Sequence, residues 1–434
     1  MKSVAFLTLG CRVNQYETEA IAEAFINEGY RMVDFEEKAD VYVINTCTVT
    51  SIGDKKSRQM IRKAKKKNPQ AVVVVAGCYS QVAPGEVAAI EGVDIIVGTS
   101  GKSQIPDLVK EYLESGSQIN HVQDIMNIKR FEEMEIDEYQ DRTRAFLKIQ
   151  DGCDRYCSYC LIPYARGHIR SRAPEKIIHE VEKLAAGGFK EIILSGIHVA
   201  SYGKDIGGIT LTDVIEKISA IDGIERIRIG SIDPTFFDEN TVNRLGKVKK
   251  LCPHFHLSLQ SGCNETLKRM NRHYTTDEYK AIVEDLRRTI PDVSITTDII
   301  VGFPGETDEE FETTYSFLKE IALSKMHVFK FSPRKGTRAA QMDNQVDPVV
   351  KEKRSHRVIE LDRYLENNFI SSFIGRNMKV LFEETKDGYA YGYTENYVRV
   401  RVPSDEELIG KIMTVRLDAC TGEMADGELW NAKL

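Results

Sequence analysis

An α/β architecture in three blocks is predicted: an open parallel sheet, then a partial barrel, then a small antiparallel β-barrel. Three observations predict it. Short apolar runs alternate with amphipathic helical stretches over residues 1–120. The same strand–helix rhythm recurs at least six times over residues 143–370. The last block, residues 371–434, changes to short β-rich segments joined by turns. At 434 residues the chain is too long for one ordinary core, so two or three domains are expected.

In the first block the strands are "SVAFLTLG", "DVYVINT", "AVVVVAG" and "DIIVGT", each ending in or near Gly, Thr or Asn. Between them lie helical stretches such as "NQYETEAIAEAFINEGY". Continuous apolar strands separated by amphipathic helices read as a parallel sheet covered on both faces. A polar segment within residues 121–142 reads as a linker or strap. The second block offers "AFLKIQ", "EIILSG", "RIRIGS", "HFHLSLQ", "SITTDIIVG" and "MHVFKFS" as strands. Six sequential β/α units predict a partial barrel whose working face is the carboxyl end of its strands. Thr307 and Glu310 have the spacing of a capping box at the start of "DEEFETTYSFLKEI". In the third block "MKVLFEE", "GYAYGYT", "YVRVRVP" and "KIMTVRLDAC" are the strands.

Composition narrows the class. No stretch approaches the roughly 18 uncharged apolar residues of a membrane span, and the N-terminus turns polar too early for a signal peptide. A cytoplasmic protein is expected, where thiols stay reduced, so nine cysteines point to metal or redox chemistry over disulfides. The net charge of −7 counts slightly against global nucleic-acid binding and leaves that case to local patches.

Two cysteine trios carry the chemistry. Cys153, Cys157 and Cys160 form a C-x3-C-x2-C in "GCDRYCSYC", just past the first barrel strand. A zinc ribbon would need a second close pair, and none exists. Three thiolates on one short loop suit an iron–sulfur cluster with one iron open to a ligand. Cys11, Cys47 and Cys78 lie far apart in sequence, yet "TLGC", "INTC" and "VAGC" each follow a predicted strand. In an open parallel sheet the carboxyl ends of strands share one edge, so these thiols can converge. The alternative is that each is a buried small apolar residue. Cys252, Cys263 and Cys420 are read as structural.

With an aromatic before its last cysteine (Tyr159), the C-x3-C-x2-C after a first barrel strand resembles the radical S-adenosylmethionine superfamily. "LGCRVNQYETE", "VINTCTVT", "VAGCYSQ", "LSLQSGCNETLKRMNR", "TTDIIVGFPGET" and "FSPRKGTRAA" extend the likeness to its methylthiotransferase branch, and the last block resembles a TRAM domain, a small RNA-binding barrel. The resemblance covers essentially the whole chain. It implies a radical core over 143–370 and two 4Fe-4S clusters. Cys153, Cys157 and Cys160 would hold the cluster that chelates and cleaves S-adenosylmethionine, and Cys11, Cys47 and Cys78 an auxiliary cluster that carries the inserted sulfur. "LSGIHVASYG" lacks the carboxylate that many superfamily members place after the second barrel strand. Tyr159, Gln260 and Asp298 are the expected cofactor contacts.

Family members act on tRNA adenosine beside the anticodon or on an aspartate of a ribosomal protein. The motifs around the first and fourth cysteines most resemble the branch acting on N6-threonylcarbamoyladenosine; the isopentenyladenosine and ribosomal-protein branches are the alternatives. A non-catalytic iron–sulfur RNA-binding protein is the alternative of another class. "DKKSRQMIRKAKKKNP" (54–69) holds eight Lys or Arg against one Asp, an electrostatic footprint for phosphate if its face is open. Lys55, Lys56, Arg58, Arg62, Arg166, Arg170, Arg172 and Arg399 are the expected RNA contacts. Tyr389, Tyr391, Tyr393 and Tyr397 are candidates for base stacking or for cross-strand pairing. A monomer is expected, with tRNA, an electron donor and a sulfur source as partners.

Overall fold

The computed structural model describes residues 2–48, 51–134, 136, 143–404 and 407–430, with backbone alone at 51 and 52. Its first sheet is entirely parallel, in the order β2-β1-β3-β4-β5-β6. The strands are β1 (Ser3–Thr8), β2 (Arg31–Val33), β3 (Val41–Thr46), β4 (Val72–Gly77), β5 (Ile95–Val97) and β6 (Ile119–His121). Alternate residues divide between two cores. Val41, Val43, Val72 and Val74 face the core shared with the central barrel, whereas Tyr42, Ile44, Val73 and Val75 face a second one. Burial on both faces is why these strands read as unbroken apolar runs. The edge strands β2 and β6 escape the sequence reading because three residues are too few to show a period.

The strap after β6 is not a loose linker. Met134 and Ile136 are buried in the shared core, and the Tyr16 hydroxyl donates to the Met134 carbonyl at 2.9 Å. Residues 135 and 137–142 of the expected linker lie outside the described residues.

The central block contains β7 (Arg144–Asp151), β8 (Arg170–Ser171), β9 (Glu191–Gly196), β10 (Arg226–Ile229), β11 (His254–His256), β12 (Ser294–Val301) and β13 (Lys325–Lys330). All six expected barrel strands are present, and β8 is a two-residue antiparallel edge on β7. The wall is formed by two sheets, β10-β9-β7-β8 and β11-β12-β13, joined by bridges at Ile227–Leu251 and Ile232–Leu257. Along β7, Ala145, Leu147 and Ile149 pack into the core while Phe146 lines the lumen. The capping box of Thr307 and Glu310 is formed as expected.

The last block is a closed barrel in the order β14-β15-β16-β18-β17. Its strands are β14 (Asn377–Lys386), β15 (Tyr389–Thr394), β16 (Arg399–Pro403), β17 (Ile412–Thr421) and β18 (Met424–Leu429). The β16–β18 pair is parallel, a departure from the all-antiparallel expectation that closure imposes by inserting β18 between β16 and β17. This domain seats against the amino ends of the barrel strands. Arg226 donates to the carbonyls of Tyr393 (3.1 Å) and Lys379 (2.8 Å), and Arg144 donates to Glu383 at 2.7 Å.

Candidate functional site

Register brings the first thiol trio to one edge. β1, β3 and β4 are neighbours, with Thr8 opposite Asn45 and Thr46 opposite Gly77, so their carboxyl ends are level. Cys11 begins the helix Arg12–Asn27, Cys47 follows β3, and Cys78 begins the turn of helix after β4. Asn14, fully buried, staples two of these ends together: its Nδ2 donates to the carbonyls of Leu9 (2.9 Å) and Thr46 (3.0 Å). Asn45 donates back to the Asn14 carbonyl at 3.0 Å. Gly10 adopts φ +112°, and a Cβ there would lie 2.8 Å from the Cβ of Cys47.

Beneath Cys78 lies a buried ion cluster that joins the first domain to the barrel. Glu17 receives Arg166 (2.5 Å), Lys148 (2.7 Å) and Lys102; Asp151 receives Lys148 (2.7 Å), Arg166 (3.3 Å) and Arg170 (3.7 Å). Burial alone would raise the Glu17 carboxyl, yet Arg166, Lys102 and Lys148 together hold it well below the usual carboxylate range. Four cations thus face two carboxylates, and the buried Arg166 Nε has no hydrogen-bond partner among the described residues. Burial pushes the Cys78 thiol up, while Arg166 and Lys102 favour its thiolate. A cationic surplus of this kind fits an anionic, thiolate-held group at the sheet edge.

The same cluster corrects an expectation. Arg166, Arg170 and Arg172 were expected to meet RNA phosphates, but all three are buried. Arg172 pairs with Glu133 at 2.8 Å and with Glu180. The segment turns inward because Arg170–Ser171 pairs with the end of β7. Asn14, Glu17, Lys102, Lys148 and Asp151 belong to this candidate site and were missed by sequence reasoning. The signal was available in "AFLKIQD", where a lysine and an aspartate interrupt an apolar strand.

The second trio lies on the loop after β7. Burial pushes the Cys153 thiol up to about 11 and Cys160 up to about 12. Each of the three sulfurs nonetheless has a nitrogen donor. Ile162 N–H reaches Cys160 Sγ at 3.4 Å, Arg272 Nη1 reaches Cys157 Sγ at 3.4 Å, and the Arg155 backbone N–H donates to Cys153. Metal binding needs thiolates and releases these protons, and such donors stabilise the thiolate-bound state. Among the described residues no group of three or more His, Cys, Asp or Glu is arranged to hold a metal ion, so neither trio is drawn in as a single-ion site. Arg272 also bonds Asp233 at 3.2 Å, as does Arg155 at 3.1 Å. Burial would raise the Asp233 carboxyl, but His198, Arg272, Thr235 and Arg155 hold it well below the usual range.

A cavity of about 290 Å³ opens beside Cys160. It is lined by Tyr159, Cys160, Gln260 and Asp298 from the barrel, and by Thr48, the neighbour of Cys47. Arg334 closes the seam, donating to Thr48 Oγ1 and Asp54 Oδ2 at 2.7 Å each. The structure therefore brings Tyr159, Gln260 and Asp298 together beside Cys160.

The remaining basic residues divide sharply. On the helix Ser51–Lys67, Lys55, Lys56 and Arg62 are exposed and have no carboxylate partner among the described residues, while Arg58 donates to the Tyr79 hydroxyl at 3.0 Å. Arg399 is half-buried over the Tyr391 ring at 5.4 Å. Tyr393 and Tyr397 are not open stacking platforms: they stack on each other at 4.6 Å, and Tyr397 also stacks on His254 at 4.6 Å. No helix among the described residues is long and apolar enough to cross a membrane.

Comparison with known proteins agrees with this geometry. Residues 147–318 match the model of the Radical SAM superfamily, and residues 3–98 match that of Uncharacterized protein family UPF0004. The fold is similar to that of the radical S-adenosylmethionine methyltransferase TsrM from Kitasatospora setae, with a TM-score of 0.57 at 15% identity over 78% of this chain and 77% of that one. Fold and thiol loop together define a radical S-adenosylmethionine enzyme. The chain is 44% identical to threonylcarbamoyladenosine tRNA methylthiotransferase MtaB of Bacillus subtilis (strain 168), over 96% of this chain and 94% of that protein. It is 36% identical to tRNA-2-methylthio-N(6)-dimethylallyladenosine synthase of Pelotomaculum thermopropionicum, over 96% and 95%. The chain belongs to the methylthiotransferase family of radical S-adenosylmethionine enzymes.

Proposed function

We propose that this enzyme places a methylthio group on C2 of N6-threonylcarbamoyladenosine in tRNA, next to the anticodon. The observation that carries this reading is the 44% identity to the Bacillus subtilis enzyme of that name, sustained over 96% of the chain. The cavity beside Cys160 supports it, because its lining also includes Thr48, the neighbour of Cys47.

In this reading Cys153, Cys157 and Cys160 hold one 4Fe-4S cluster with S-adenosylmethionine, and Cys11, Cys47 and Cys78 hold a second that carries sulfur. Bound there, these groups supply one-electron chemistry and a sulfur atom for the adenine C2–H bond, which is not acidic enough for a general base. The protein's own part is placement. Arg272 and the backbone N–H groups of Arg155 and Ile162 orient the first thiols. Asn14, Asn45 and Arg166 set the second trio against the barrel. Tyr159, Gln260 and Asp298 line the space where cofactor and base would meet. Lys55, Lys56 and Arg62 present positive charge to the RNA backbone on the first domain. An external electron donor and sulfur source complete the reaction, in the cytoplasm.

Nucleoside analysis of tRNA from a strain lacking the enzyme tests the assignment. Loss of the 2-methylthio derivative of threonylcarbamoyladenosine is expected. Its persistence, or loss of the dimethylallyl derivative instead, would reject the reading. Cys157→Ala should abolish S-adenosylmethionine cleavage by the reduced holoenzyme. Cys47→Ala should retain cleavage and lose sulfur insertion; equal loss in both would count against separate roles.

A further inference from the structure

A cavity of about 610 Å³ occupies the barrel lumen and takes no part in the thiol geometry described above. Its lining holds the guanidinium groups of Arg228 and Arg12, the second of which donates Nη1 to Gln15 Oε1 at 2.8 Å. Phe146, Ile193 and Arg228 are paired across β7, β9 and β10, so their side chains leave the same face in one row. Arg228 is 3% exposed. Its Nε bonds Glu191 at 2.9 Å, but Nη1 and Nη2 have no hydrogen-bond partner among the described residues. Beside it His254, 7% exposed, leaves Nδ1 unpartnered. Leaving buried N–H groups unpaired is costly, and a site that does so is complete only with an acceptor.

At the other end of the row Arg12 lies over the Phe146 ring at 4.6 Å, on the residue next to Cys11. It has no carboxylate partner among the described residues. The acids that line the lumen are committed elsewhere: Glu366 and Glu423 face Lys325 at 2.6 and 3.5 Å, and Asp298 faces His256 at 3.3 Å. The lumen therefore carries Arg12, with no carboxylate partner, at one end of a row about two strand spacings, roughly 10 Å, across, and the two unpaired Nη groups of Arg228 at the other. Asp298 lines both this lumen and the smaller cavity at Cys160, so the two spaces adjoin.

We propose that the lumen is the specificity site for an anionic substituent on the substrate adenine, with Arg228 and Arg12 recognising its carboxylate. This rests on the reading of the substrate given above and deepens it. A threonylcarbamoyl group offers a carboxylate, a hydroxyl and a urea linkage to the guanidiniums and to Ser294 and Thr296. A dimethylallyl group offers none of these and would leave the buried Arg228 Nη groups without acceptors.

The test uses cluster-reconstituted full-length enzyme and anticodon stem-loop RNAs. These bear N6-threonylcarbamoyl, its carboxylate methyl ester, or N6-dimethylallyl adenosine. The wild type should favour the acid over the ester by about tenfold or more in kcat/KM, carried mainly by KM. Arg228→Met and Arg12→Met should each bring that ratio toward one, and Arg228→Lys should restore part of it. Because Arg228 also supports Tyr397, the exposed Arg12 and an equilibrium binding measurement of acid against ester provide a second reading. An acid-to-ester ratio near one in the wild type would overturn the proposal, as would an unchanged ratio in Arg12→Met and Arg228→Met. Turnover of the dimethylallyl RNA with none of the threonylcarbamoyl RNA would instead overturn the assigned substrate itself.

Discussion

Gly10 and Asn14 show how single residues set the distance between thiols that are far apart in sequence. Asn14 ties the Cys11 end to the Cys47 end through two carbonyls. Gly10 permits that approach twice over, by its φ of +112° and by the space a Cβ would take from Cys47. Gly10→Ala should therefore lower iron and sulfide per chain toward the level of Cys47→Ala, measured after anaerobic reconstitution. Gly29→Ala is the matched control: its φ is +81° but a Cβ there meets nothing within 4 Å. Both variants carry a backbone cost of about 1–3 kcal/mol, so equal iron loss in the two would show that strain alone, and not the thiol contact, is responsible.

At the scale of elements, the helix Pro348–Ser371 packs two acids against β13. Asp362 accepts the Met326 N–H at 2.6 Å. Burial raises its pKa from 3.8 to about 6, aided by Glu366 and opposed by the Met326 hydrogen bond. A carboxyl whose folded-state value is raised favours the protonated form. Its contribution to stability is full below pH 3.8 and is lost as pH rises through about 6. Asp362→Asn, neutral throughout, should raise thermal stability at pH 8 by about 1–2 kcal/mol after allowing for solvent screening. The gain should vanish below pH 4. An equal gain at both pH values would show that the aspartate is not charged against its surroundings. The inward turn of "RGHIRSR" belongs to this scale as well: pairing with β7 makes interior ion pairs of a segment whose composition suggests a basic surface.

For the whole molecule, the charge available to RNA is much smaller than the composition implies. Arg334, Arg354 and Arg357 pair with Asp54, Glu306 and Glu312, and Tyr393 and Tyr397 lie at the junction with Arg144 and Arg228. On the helix Ser51–Lys67, Lys55, Lys56 and Arg62 are exposed and have no carboxylate partner among the described residues. A triple Lys55→Gln, Lys56→Gln, Arg62→Gln variant should weaken tRNA binding and reduce the slope of log affinity against log salt by about 2–3. An unchanged slope would place the phosphate contacts on another face, with the C-terminal barrel's Arg399 as the next candidate.

The sequence by itself determined the longer strands, the six-fold β/α rhythm and the C-x3-C-x2-C, because each is written in local pattern: apolar runs, caps and close spacing. That Cys11, Cys47 and Cys78 share one sheet edge was decided by strand register. Short edges such as β2 and β6 carry too little pattern to be read. Only the tertiary structure decided which cations are buried. Arg166 and Arg62 are alike as letters, and what separates them is whether Glu17 and Asp151 come within reach through the packing of one domain on another. The two unpaired Nη groups of Arg228 in the lumen are of the same kind, since a missing partner is a property of the space around a residue and not of its neighbours in the chain.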